Sequence, residues 1–306
     1  MDKSYADTVR LLLAIAPDVF ANDIFAMKGG TAINLVVQDM PRLSVDIDVV
    51  YLPWQTPRDE ALQAINQELA AIASRIATLG VQTRLIPARD LGDTKLIVEN
   101  ETSQVKIEVN VVFRGSVLAA ERRALSARTS DLFSVELDLP TLTPDELYAS
   151  KLVAALDRQH PRDLFDVWQL YESDGISDGM VECFVIYLAG HNRPTHEVLF
   201  SNDKDIANEY ERAFVGMTEV DCSLETLLEA RARLQRELPQ RLTTTHRQFL
   251  SGLVRAEPDW SLLQCPHAAE LPALRWKLSN LETFRKRRPA DFVAQADALD
   301  AGLNQT

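Results

Sequence analysis

A chain of 306 residues with 46% hydrophobic and 25% charged residues has the make-up of an ordinary globular protein, with room for one large or two ordinary domains. Eleven Gly and fourteen Pro exclude collagen-like or low-complexity character. The formal net charge of −13 excludes a protein that coats nucleic acid nonspecifically, since phosphate binding needs clustered Lys and Arg, but it leaves room for a local basic face.

No apolar stretch, Val181 to Ala189 included, approaches the roughly 20 residues of a membrane span. The opening MDKSYADTVR lacks the apolar core and cleavage site of a signal peptide. Cys183, Cys222 and Cys265 are scattered without C-x-x-C spacing, the usage of a reducing compartment, and the scattered histidines give no zinc signature. The expectation is a cytoplasmic protein with no membrane partner and with thiols buried as hydrophobes.

Taken in chain order, apolar positions at helical spacing (Val9, Leu12, Leu13, Ile15, Ala16, Phe20) predict a helix over 6–20. A short apolar run, Ile24 to Met27, then Lys28-Gly29-Gly30-Thr31, then Ala32, Leu35 and Val36 read as strand, glycine turn and helix. Ser44 to Leu52 alternates and is β-branched, so it predicts a strand, and Pro57 opens a long helix to Leu79. Val81 to Ile86, Lys95 to Glu99, Gln104 to Phe113 and Leu132 to Leu139 are further strand candidates. Thr143-Pro144-Asp145-Glu146 has the form of a capping box, and from there on nearly every window reads as helix or loop. The division expected is a mixed α/β domain over about 1–140 and a helical domain over about 141–306.

Asp46-Ile47-Asp48 is the sharpest local signal. On a strand the side-chain period is two, so both carboxylates share a face. Two carboxylates so close favour a cation between them, and Mg2+ or Mn2+ suits hard oxygen ligands while leaving positions for phosphate. For a lone D-x-D, a solvated acidic patch at a strand end is by far the better explanation, and the surrounding sequence has to shift the balance. Upstream, Gly29-Gly30-Thr31 offers backbone N–H groups and a hydroxyl as a phosphate cradle. Glu108, in the apolar strand 104–113, is either a third metal carboxylate or part of a polar edge face. With all three carboxylates, a two-metal clamp would orient the attacking hydroxyl and the leaving pyrophosphate.

Lys28-Gly29-Gly30-Thr31 followed by Arg42-Leu43-Ser44-Val45-Asp46-Ile47-Asp48 resembles the nucleotidyltransferase toxins of the AbiEii/AbiGii family, within the DNA polymerase β-like superfamily. Glu146, Lys151, Ala155, Leu156, Arg158 and Arg162-Asp163-Leu164-Phe165-Asp166 resemble that family's downstream lysine and R-D-x-x-D element. The resemblance runs through about residues 24–171. It implies an α+β fold, a polymerase β-like mixed sheet with flanking helices followed by an all-helical C-terminal domain. It also implies the toxin of a type IV toxin–antitoxin or phage-abortive-infection system with a separately encoded antitoxin. Relatives such as the MenT toxins move nucleotides from NTPs, in some cases onto tRNA 3′ ends. Carried over by motif, Thr31 contacts phosphate, Asp46 and Asp48 hold metal, Lys151 binds the triphosphate, and Asp163 belongs to the acidic element. Catalytic roles thus fall on Asp46, Asp48, Lys151 and Asp163.

The residues themselves leave other readings open. Lys151 is a phosphate ligand or an ordinary solvated lysine, Asp163 a cap in the first turn of its helix. Arg158 and Arg162 bind phosphate or pair with neighbouring aspartates. Lys28 helps the cradle or snorkels, and Arg42, counted with Lys28, Gly29, Gly30, Thr31, Lys151, Arg158 and Arg162 among the nucleotide-binding candidates, braces the D-x-D strand together with Ser44. Arg231, Arg233, Arg236, Arg241 and Arg247, then Arg275, Lys277 and Arg285 to Arg288, make two basic segments. They can receive an RNA, with Trp276 or Phe284 stacking on bases, or be solvated helix faces. Besides an NMP transferase acting on RNA (such as tRNA) or protein, two readings compete. One is a D-x-D glycosyltransferase, set back by the upstream Gly-Gly-Thr. The other is a non-catalytic nucleotide-binding interaction protein, set back by the intact acidic pair.

Overall fold

The alternating apolar segments build one mixed seven-stranded sheet in the computed structural model, which describes residues 3–86 and 94–305. Its strands are β1 (Phe25–Lys28), β2 (Ile47–Tyr51), β3 (Gln82–Ile86), β4 (Thr94–Glu99), β5 (Gln104–Val109), β6 (Glu121–Ala124) and β7 (Asp138–Thr141), in the order β3-β4-β5-β2-β1-β7-β6. β2 runs antiparallel to β1 and parallel to β5, and β1 runs parallel to β7. Helix α1 (Lys3–Val19) buries Val9, Leu12 and Ile15, and packs on β5 and on α3 (Arg58–Ile76), whose Ile65, Leu69 and Ile72 supply its apolar stripe. Each such side chain contributes about 1.5–3 kcal/mol of burial. Between β1 and β2, α2 (Gly29–Ala32) widens into a π-helical turn over Ile33–Val37. These elements form a first unit of Met1–Leu147, joined by three residues from far along the chain, Thr218–Val220; Thr218 makes an isolated antiparallel bridge with Arg42.

After α4 (Ala127–Phe133), helix α5 (Pro144–Asp157) leads into a second, helical unit of Tyr148–Met217 and Asp221–Thr306. It holds α6 (Pro161–Glu172), α7 (Asp178–Ala189), α8 (Thr195–Leu199), α9 (Ala207–Ala213), α10 (Leu224–Arg241), α11 (Thr244–Val254), α12 (Pro272–Arg287) and α13 (Pro289–Leu303). Ser177, Ser223 and Thr243 cap α7, α10 and α11 by accepting backbone N–H groups of Met180, Thr226 and His246. The apolar run in α7 is buried from Met180 to Ala189, so it is the core of this unit. Among the described residues no helix is long and apolar enough to cross a membrane. All three cysteines are buried free thiols.

Several boundaries differ from the sequence expectation, each for a local reason. β5 ends at Val109 because the Asn110 Oδ1 accepts the N–H groups of Val112 and Phe113 and turns the chain. Residues 132–139 are not one strand: α4 is capped by Ser126 and stopped at Ser134 in the left-handed region, and β7 starts only at Asp138. The edge strand β6, Glu-Arg-Arg-Ala, has no apolar alternation and forms through its pairing with β7. Glu146 does more than complete a cap. It is fully buried, and its carboxylate accepts the N–H groups of Val117 and Leu118 at 2.8 and 3.0 Å.

Candidate active site

Gly29 has φ +77, a left-handed conformation glycine adopts without strain. Its second reason to be glycine is contact. A Cβ there would collide with Oδ2 of Asp48 and stand 3.1 Å from the Asp48 Cβ and Cγ. The turn and the acidic strand therefore touch through the missing side chain. A Cβ on Gly30 would likewise collide with the Arg42 guanidinium and lie 3.4 Å from Ser44 Oγ.

A buried network fixes this arrangement. The Asn34 side chain donates to Gly30 O at 2.7 Å and accepts the Arg42 N–H at 3.3 Å, tying the glycine turn to the approach of β2. The Arg42 guanidinium, 3% exposed as a residue, donates to Leu43 O at 3.0 Å. Thr31 and Ser44 share a hydroxyl hydrogen bond of 2.8 Å, and the Tyr5 hydroxyl accepts the Ser44 N–H at 3.1 Å. Burial raises the Tyr5 pKa above its ordinary value, so the phenol keeps its proton. Thr31 and Arg42 are therefore buried parts of the brace, while Lys28 remains half-exposed at the start of the turn.

Ile47 and Val49 point into the core, and Asp46 and Asp48 alternate with them as half-exposed residues; Asp46 itself precedes the paired strand. The sheet register sets Lys28 opposite Asp48, Asp48 opposite Glu108, and Glu108 opposite Lys95. Glu108 is thus beside Asp48, but its Oε1 takes a 2.9 Å bond from the Lys95 ammonium. Among the described residues, no group of three or more His, Cys, Asp or Glu side chains is arranged to hold a metal ion. The donor set of Asp46 and Asp48 fits a hard cation that keeps waters and substrate phosphates as its other ligands, the habit of Mg2+.

In the second unit, Lys151 is buried instead of solvated. Its Nζ lies 2.8 Å from Asp163 and 3.0 Å from Asp166, both buried, and Arg158 bonds the other oxygen of Asp163 at 2.8 Å. The Arg158 head remains exposed, and Arg162 is half-exposed in the first turn of α6. His160 caps that turn, its Nδ1 accepting the Arg162 N–H at 3.1 Å; burial and the nearby Arg162 hold its pKa below the usual imidazole value. It is therefore a neutral cap near pH 7.

The first basic segment is largely structural. Arg231 is buried against Gln159 and Lys204 O, Arg241 bonds Ile176 O and Asp178, Arg247 bonds three carbonyls, and Arg233 stacks 3.8 Å over Tyr171. In the second segment Lys277 is buried, its ammonium held by His191 O and Arg193 O, while Arg275 and Arg285 to Arg288 are exposed. Arg285 pairs with Glu257 and Arg288 with Asp291. Phe284 packs edge-on against Phe292.

A family model described as nucleotidyl transferase AbiEii toxin of type IV toxin–antitoxin systems matches residues 10–280. Among solved structures, MenT4, a nucleotidyltransferase toxin from Mycobacterium tuberculosis H37Rv, superposes with a TM-score of 0.60 at 16% identity, over 91% of this chain and 92% of that one. Likeness at that identity is likeness of fold. Comparison with curated proteins gives no match.

Proposed function

Because the chain belongs to the AbiEii family of nucleotidyltransferase toxins from type IV toxin–antitoxin systems, we propose that it transfers a nucleoside monophosphate from an NTP to an RNA hydroxyl, with tRNA as the acceptor class. The observation that carries this reading is the contact of Asp48 with the Gly29 turn, which puts carboxylates for a cation beside a backbone N–H group for phosphate. Asp46 and Asp48 would hold Mg2+ or Mn2+, which when bound supplies positive charge to the triphosphate.

The chain's own residues do the rest. The N–H group of Gly29 and the ammonium of Lys28 bind phosphate oxygens, while Gly30 and Thr31, both buried, shape the turn behind them. Arg42, Asn34, Ser44 and Tyr5 keep that turn from shifting, which makes Arg42 a positioning residue more than a phosphate ligand. The carboxylates of Asp46 and Asp48 are the bases at hand for the proton of the acceptor hydroxyl, so no histidine is needed. In the second unit Asp163 and Asp166 fix Lys151, and Asp163 also fixes Arg158. The exposed Arg158 head and Arg162 are the candidates there for phosphate. Arg285 to Arg288 supply the RNA contact, which is salt-sensitive for that reason. A separately encoded antitoxin is the protein partner the family implies.

The test incubates protein, total RNA, Mg2+ and each labelled NTP in turn. Label enters RNA with wild type and is lost in Asp46→Asn and Asp48→Asn variants whose circular dichroism is unchanged. Label entering protein instead overturns the RNA acceptor. The absence of transfer from every NTP, with growth unaffected by expression, overturns the activity.

A further inference from the structure

The cross-strand row through the candidate site contains a residue that no motif assigns. Lys95 on β4 lies opposite Glu108 on β5, which lies opposite Asp48 on β2, which lies opposite Lys28 on β1. Directly opposed residues of a sheet share a face, with strands about 5 Å apart. The row therefore reads cation, carboxylate, carboxylate, cation on one surface. Asp48 and Glu108, as adjacent carboxylates, would repel each other unless a positive charge stood nearby. The Glu108 charge is answered within the protein, by the Lys95 ammonium at 2.9 Å.

We propose that Lys95 is an internal counter-ion standing in for a second metal ion, so that the site takes one divalent cation on Asp46 and Asp48 while Glu108 stays with Lys95. Lys95 is a positioning residue here, acting on the metal through Glu108. The inference rests on the metal reading of Asp46 and Asp48. Charge arithmetic supports it. Asp46, Asp48 and Glu108 set against Lys28, Lys95 and Lys106, which shares the face of Glu108 two residues back on β5, leave no net charge. One divalent ion turns that positive, and a second would enter a site already repelling it. Without Lys95 the Glu108 carboxylate would lose its ammonium partner and could share a second ion with Asp48 across the strand pair. Lys95 thus sets how many cations the nucleotide-free site takes.

The test is Mn2+ titration of the intact protein without nucleotide, followed by electron paramagnetic resonance at fixed ionic strength. Wild type should bind one ion, lost in Asp46→Asn/Asp48→Asn. Lys95→Met should bind a second ion, with the dipolar broadening of a Mn2+ pair. Lys95→Arg should return to one ion at wild-type affinity. Adding Glu108→Gln to Lys95→Met should remove the second ion. Thermal melts check that each variant is folded. A Lys95→Met protein that binds Mn2+ as wild type does overturns the role of Lys95 and leaves the metal reading standing. Two ions bound by wild type overturn it as well. No Mn2+ bound by wild type or Lys95→Met overturns the metal reading itself, and this proposal with it.

Discussion

Lys151 is the residue that mutagenesis would reach for first, and removing it should cost stability before it reports on chemistry. Its ammonium sits between Asp163 at 2.8 Å and Asp166 at 3.0 Å, with side-chain exposures of 9%, 5% and 0%. Truncation leaves two buried carboxylates without the cation that faces both. Breaking a buried ion pair from one side costs about 3–5 kcal/mol, because the remaining charge cannot reach water. In a unit of roughly 150 residues each kcal/mol lowers Tm by about 2–4 °C, so Lys151→Ala should melt about 6–20 °C below wild type. Calorimetry or thermal circular dichroism reads this directly. The triple variant Lys151→Met/Asp163→Asn/Asp166→Asn, which leaves only the exposed Arg158 charged, should regain at least half of the lost Tm, since the penalty comes from buried unpaired charge and not from a missing contact. A single variant melting within 2 °C of wild type, or a triple variant no better than the single, refutes the reasoning. Loss of activity in Lys151→Ala is informative about phosphate only when measured well below its melting point.

Gly29→Ala should abolish Mn2+ binding or transfer, whereas Gly80→Ala should do neither. Both glycines have positive φ, +77 and +72, at a cost of about 1 kcal/mol each for alanine. Only Gly29 faces a carboxylate; Gly80 has nothing within 4 Å, so the difference between the two melts isolates the Asp48 contact. Burial pushes the Lys277 pKa down from 10.5 to about 8. Between those values the unfolded chain holds the proton that the folded chain has released, so this group makes folding more favourable as pH rises from about 8 towards 10.5. Urea unfolding at pH 7.5 and 9.5 should show a rise that is smaller in Lys277→Met, and equal slopes in the two proteins would refute it.

What the sequence disclosed about the site was what lies close along the chain. Gly29-Gly30-Thr31 and Asp46-x-Asp48 are short motifs, and the structure brings them together at the contact between Gly29 and Asp48. Glu108 stood out through alternation in β5. Lys95 did not, because a lysine in a strand carries no motif, although the signal existed. Asn100 turns β4 into β5, its Oδ1 accepting the Thr102 and Ser103 N–H groups, so Glu99 faces Gln104 and, counting back, Lys95 faces Glu108. Fixing that turn first would have found the pair. The burial of Lys151, Arg231 and Lys277 had no such cue, because their partners come from other helices or loops. β6 was hidden for the opposite reason: an edge strand asks little of its side chains.

The return of Thr218–Val220 to the first unit has a practical consequence for anyone dividing this protein. The bridge from Thr218 to Arg42 lies on the approach to the acidic strand. A fragment ending near residue 147 would carry every sheet strand and both aspartates, yet lack the segment that meets Arg42. The two units are thus interleaved in the gene, and neither can be exchanged as a cassette by a single crossover. Recombination between relatives that broke the chain once would leave Arg42 facing a foreign loop, or none.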